Sequence, residues 1–180
     1  MSDPVARTRR WLDEAVIGLN LCPFAGPVRA TGRIRFAVSD ATDAESAVGD
    51  ALSEAVQLLD ASPEEVATTL VIVPQALADF HEFLDAVETL VSALSEAGAD
   101  GVLQVATFHP DYRFAGEEEG ALSHFTNRAP HPILHLLREA DVAEAVAQHP
   151  DPEGIPAANI AGLDALGESS VVEMWASFKE

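Results

Sequence analysis

Apolar residues recur along this chain in two rhythms, and their alternation predicts the architecture. Val5, Trp11, Leu12, Ala15, Val16 and Leu19 fall at helical spacing behind Asp3-Pro4, a capping acceptor followed by a proline suited to a first turn. A first helix is therefore expected from about residue 4 to residue 19, with Gly18 near its end. Asn20 to Pro27, with two prolines and a glycine, reads as an ordered turn. Ile34 to Val38 alternates, as a strand with one apolar face does. Ala44 to Leu59 follows the capping acids Asp40 to Asp43 and carries Ala47, Val48, Ala51, Leu52, Ala55, Val56 and Leu59 on one helical stripe. Thr69 to Val73 is a continuous apolar run stopped by Pro74, which suits a central strand covered on both faces.

A longer helix is expected over Leu77–Leu94, with Phe80, Leu84, Val87, Val91 and Leu94 inward and Gly98 closing it. Val102 to Phe108 reads as a third strand. Behind Pro132, the residues Ile133, Leu134, Leu136 and Leu137 read as the apolar face of a further helix running through Val146. Ile155-Pro156 opens a short helix ended by Gly167. Val171, Val172, Met174, Trp175 and Phe178 form a last apolar helix, expected to pack on the body of the chain or on another subunit, which makes an oligomer an open expectation. The order helix, then strand-helix-strand-helix-strand, predicts an α/β fold. Its sheet is small, mostly parallel or mixed, of about three strands flanked by helices. A ferredoxin-like α+β two-layer sandwich is the alternative. A chain of 180 residues is expected to form a single domain over residues 1–180.

Charge narrows the function classes. Thirty acids against ten bases give a formal charge of −20, and Lys179 is the only lysine. Such a field repels nucleic acid and anionic membrane surfaces. The N-terminal stretch from Met1 to Trp11 has no apolar leader core, and no run reaches the roughly 18 apolar residues of a membrane span. A cytoplasmic protein is the expectation. One cysteine, Cys22, excludes an intramolecular disulfide. No glycine-rich cofactor fingerprint or phosphate loop is present.

The candidate chemistry concentrates between Thr107 and Glu139, which holds four of the six histidines and three of the nine arginines. His109-Pro110-Asp111-Tyr112 sits where the third strand ends, and sites of open parallel sheets form at the carboxyl ends of strands. Gly116 to Gly120 reads as a solvated acidic tip. His135 and Glu139 are four apart, on one face of the expected helix, with His131 a turn earlier. A His/His/Glu ladder can hold a divalent transition metal. Arg128, placed near that helix's N-terminus, and Arg138 would suit an anionic group, with structural ion pairs as the alternative. Cys22 follows the first helix's C-terminus, the end that does not acidify a thiol. It reads either as a small buried hydrophobe or as a nucleophile or metal ligand.

Three blocks resemble a known family: Gly18-Leu19-Asn20-Leu21-Cys22-Pro23-Phe24; Thr107-Phe108-His109-Pro110 with Tyr112, Phe114 and Gly116; and Thr126-Asn127-Arg128 with Pro130, Pro132 and His135 to Glu139. Ile155-Pro156 with Asn159-Ile160 is a weaker fourth block. The chain resembles the family catalogued as domain of unknown function 1415 across nearly its whole length. At the position of His131 that family's pattern has an aromatic, usually tyrosine, so the resemblance argues against a metal site that needs His131. It implies no activity. It does draw Cys22, His109, Asn127, Arg128, His135, Arg138 and Glu139 together as a candidate shell.

Three readings follow. The first is an enzyme in which His109 is the acid–base, Cys22 a nucleophile and Glu139 or Asp111 an orienting carboxylate. Asn127, Arg128, Arg138 and Tyr112 would then bind a small anionic substrate. The second is a metal protein using His109, His135 and Glu139, with Cys22 as a further ligand. The third is a non-catalytic ligand- or partner-binding domain.

Overall fold

The computed structural model describes residues 3–180. Met1 and Ser2, which begin the stretch read for a leader, lie outside the described residues. Helix α1 (Pro4–Trp11) starts as its sequence requires: the Asp3 side chain accepts the Val5 N–H at 3.0 Å and Pro4 takes the first turn. It widens into a π-helical turn over Leu12–Ile17, two residues short of the expected end. A β-carbon on Gly18 would collide with the Glu14 carbonyl oxygen, which explains the glycine there. A short helix α2 (Ala25–Ala30) follows.

Strand β1 (Ile34–Val38) leads through helix α3 (Ala44–Asp60) to β2 (Thr68–Ile72), and helix α4 (Phe80–Glu96) leads to β3 (Leu103–Phe108). β4 (Ile133–Arg138) lies in the sheet between β2 and β3, antiparallel to both, so the strand order is β1-β2-β4-β3. The fold is thus α/β, with a four-stranded mixed sheet flanked by helices. Helices cover both faces, so the ferredoxin-like two-layer alternative is not what forms.

The expected helix over Pro132–Val146 is corrected here. Ile133 to Arg138 is a strand, and helix α5 (Glu139–Gln148) begins only after it. Ile133, Leu134 and Leu136 are fully buried because the strand is central and packed on both faces. The helical His135–Glu139 face therefore does not exist.

Side-chain alternation splits the core into two layers. Val71, Leu134, Leu136 and Leu103 meet α3 and α4 on one face. Leu70, Ile72 and Ile133 meet α1, Phe125, Leu163 of α6 (Ile155–Leu166) and Trp175 of α7 (Glu168–Ser177) on the other. The last helix buries Val171, Trp175 and Phe178 within its own chain. Two stripes are rotated from expectation. In α4, Phe83, Ala86, Leu90 and Leu94 are buried while Leu84 and Val91 are exposed. In α3, Leu58 is buried while Val56 and Leu59 are exposed. α4 also begins at Phe80, capped by Asp79, because Leu77 takes a left-handed backbone (φ 60°) that no helix continues. No helix among the described residues is long and apolar enough to cross a membrane.

Candidate functional site

The face carrying α1 leaves a cavity of about 290 Å³, open at the surface, against the middle of the sheet. Its floor follows from strand register. Leu70, His135 and Ala106 are successive cross-strand neighbours, and Ile34, Thr68, Leu137 and Gln104 form the next row. Ala106 and Gln104 leave this side of β3 shallow, while Trp11, Leu12 and Val16 wall the cavity from α1 and its π turn. Cys22, Phe24 and Val28 close a second side, Val142 and Ala145 of α5 a third. The lining is almost wholly apolar.

His135 stands on this floor with Thr68 and Gln104 in the row beside it. Its Nε2 lies 2.7 Å from the Thr68 hydroxyl oxygen. The Thr68 hydroxyl donates its one proton to the Leu136 carbonyl, so it can only accept from His135. Nε2 therefore carries the proton and Nδ1 carries a lone pair. Among the described residues nothing hydrogen-bonds that Nδ1. Burial pushes the His135 pKa down to about 4, so the ring is neutral at neutral pH. Phe108 lies 6.1 Å from it, ring to ring, and meets Trp11 edge-on at 5.0 Å.

Cys22 lines the same cavity. Burial raises its thiol pKa, an effect opposed by the backbone N–H groups of Phe24 and Ala25 that face the sulfur. The structure thus brings Cys22 and His135 to one cavity.

It does not bring His109 there. His109 leaves β3 on the opposite face, fully buried against Phe80 and Phe83. Its Nδ1 accepts the Asp111 N–H at 3.0 Å and its Nε2 donates to the carbonyl of left-handed Leu77 at 2.9 Å. Both ring nitrogens are occupied, and burial lowers the pKa. The expected Cys22–His109 pair is corrected by this geometry, because the sheet separates the two. The His109, His135 and Glu139 metal set is split in the same way. Among the described residues no three His, Cys, Asp or Glu side chains converge as a metal requires.

The anion-binding set is likewise dispersed. Arg138 reaches across the end of α3, and its Nε and one terminal nitrogen donate to the carbonyls of Leu58, Ala61 and Val66, closing that helix. Arg128 follows a 3₁₀ turn (Leu122–Asn127) rather than preceding a helix. It stacks on Phe125 at 4.4 Å and donates to the Tyr112 carbonyl at 3.2 Å, and burial lowers its pKa. Tyr112 packs between Phe80 and Phe114. Asn127 donates to the Thr107 carbonyl at 3.0 Å, and its own carbonyl accepts the His109 N–H at 3.1 Å, tying this turn to the end of β3. Glu139 opens α5, where its N–H meets the Val102 carbonyl. His131 is buried before β4 with its Nε2 unpartnered; burial, reinforced by the positive charge of Arg7, drives its pKa to about 4.

Sequence reasoning missed Thr68, Trp11, Phe108 and Gln104 as site residues. A threonine just ahead of an apolar run, diagonal to a histidine on the next strand, becomes visible only once β2 and β4 are known to pair.

The class is thus an α/β protein with a mostly apolar cavity on one face of its sheet. The chain belongs to the family described as "Protein of unknown function (DUF1415)", matched over residues 3–173. No curated protein and no solved structure matches it.

Proposed function

We propose that this protein binds a small, largely apolar molecule in the cavity over β2, β4 and β3, and that Nδ1 of His135 accepts a hydrogen bond from it. The observation that carries the reading is the proton order of the Thr68–His135 pair. It leaves one lone pair presented by a neutral ring in a mostly apolar site. Apolar pockets with few placed polar groups are the usual form of small-molecule sites. A fixed acceptor on the floor of a weakly polar cavity discriminates ligands that have a donor from those that lack one, because an unpaired polar group there is costly.

Of the three readings, a ligand-binding domain fits best. An anionic substrate has little support, since Arg128 does not line this cavity, Arg138 gives Nε and one terminal nitrogen to backbone carbonyls, and Asp141 adds a carboxylate to the lining. Phenol and anisole form a matched pair of probes, differing in the hydroxyl donor. Calorimetric titration should give phenol at least a tenfold advantage, worth about 1.4 kcal/mol. That advantage should vanish in His135→Phe. Equal affinity for the two probes, or an advantage that survives His135→Phe, would refute the proposal.

A further inference from the structure

A second cavity, of about 450 Å³ and also open at the surface, adjoins the first, and the two share Val16, Cys22 and Phe108 as a common wall. Their linings differ. The first is nearly all apolar, whereas the second adds Glu117, Ser123, Asn127 and Asn159. The formal charge of that polar group is one-sided, since Glu117 is its one ionisable side chain. Asn127 and Asn159 each give one amide proton to a backbone carbonyl, of Thr107 and Leu21 respectively. The Asn159 side-chain oxygen and the Glu117 carboxylate accept from no described residue, and the Ser123 hydroxyl is without a protein partner. No lysine, arginine or histidine lines this cavity. In the first cavity the one arginine, Arg138, is engaged with backbone carbonyls, and Asp141 adds a carboxylate to the lining.

From this we infer that the ligand is amphipathic and spans both cavities. Its largely apolar body lies in the first cavity with a hydrogen-bond donor on His135 Nδ1, and an uncharged or cationic end, such as an amine, lies past Cys22 against Glu117 and Asn159. The inference rests on the cavity reading above and extends it to a ligand class. An ammonium end meets the Glu117 carboxylate and the Asn159 carbonyl there; a carboxylate or phosphate end meets a like charge and no cationic partner.

The test compares tyramine, tyrosol and 4-hydroxyphenylacetate by calorimetry at pH 7.5 on the full chain, with iodoacetamide labelling of Cys22 as a second readout. Each carries a phenol hydroxyl for His135 and they differ in the charge of the other end. Tyramine should bind at least tenfold more tightly than 4-hydroxyphenylacetate. Glu117→Gln should remove most of that preference, Asp141→Asn should leave it, and saturating tyramine should slow Cys22 alkylation at least fivefold. The spanning arrangement is overturned, with the first cavity intact, if tyrosol binds but either the preference follows Asp141 or Cys22 alkylates at an unchanged rate. 4-Hydroxyphenylacetate binding most tightly would overturn the charge assignment. Failure of all three to bind would remove the cavity reading and this inference together.

Discussion

Thr68 and His135 are diagonal neighbours across the β2–β4 ladder, 2.7 Å apart, and the threonine accepts because its own proton goes to the Leu136 carbonyl. One hydroxyl thereby sets the tautomer of the ring on the cavity floor. Thr68→Val keeps the shape and removes the acceptor. It should lower stability by about 1–3 kcal/mol, the cost of leaving a buried donor unpaired. It should also erase the preference for phenol over anisole. Urea denaturation and calorimetry on the same preparation check both.

His109 has the opposite character. Its ring joins the Asp111 N–H to the Leu77 carbonyl and so holds a left-handed leucine in place. His109→Leu should cost about 2–5 kcal/mol in denaturant unfolding, since a buried N–H and a buried carbonyl lose partners together. Phenol affinity of the folded variant should stay within twofold of the parent, because the ring lies on the other side of the sheet.

The positions of these residues show what a single sequence carries. β1, β2, β3 and the helices α3 and α4 were legible from periodicity, and the family from three short blocks. β4 was not. Ile133-Leu134-His135-Leu136-Leu137 has no period of two, because a strand covered on both faces needs none, and its leucines favour a helix in isolation. That one misreading moved His135 onto a helix with Glu139 and invented a ladder of metal ligands.

The histidines were misread for a related reason. His109-Pro110-Asp111 and His149-Pro150-Asp151 repeat one tripeptide, and in both the aspartate N–H donates to the histidine Nδ1, at 3.0 and 3.1 Å. His124 does comparable work, accepting the Phe114 N–H and donating to the Glu118 carbonyl. Histidines beside turns in this chain mostly satisfy backbone. The distinguishing feature of His135, an unused nitrogen, depends on strand pairing that local sequence does not encode.

Acid should weaken this fold earlier than its carboxylates alone would. His131 and His135 both have folded pKa values near 4 against about 6.5 unfolded, so the unfolded chain binds more protons between those values. Stability contributed by their neutral forms is complete above about pH 6.5 and is lost as pH falls toward 4. Asp79 and Asp43 have lowered pKa values, so their contribution is lost only below about pH 4. His131→Phe removes one titrating ring together with its unpartnered Nε2. It should raise stability at pH 7 by about 1 kcal/mol and flatten the slope between pH 6.5 and 4.5. Urea midpoints across that range measure both effects.

Arg138 should matter through hydrogen bonds rather than charge alone. Arg138→Ala leaves the Leu58, Ala61 and Val66 carbonyls short of a donor and should cost about 2–4 kcal/mol. Arg138→Lys should recover less than half, since an ammonium cannot reproduce the planar fork. Thermal unfolding of the two variants separates these outcomes.

The most direct test of the His135 site is the ¹⁵N spectrum of its imidazole, recorded with and without saturating phenol. The expected ring is neutral down to about pH 5, protonated on Nε2, with an Nδ1 resonance that moves upfield as phenol's hydroxyl donates to it. A proton on Nδ1, titration near pH 6.5, or an Nδ1 resonance unmoved by bound phenol would contradict the assignment of His135 as the anchor of this cavity.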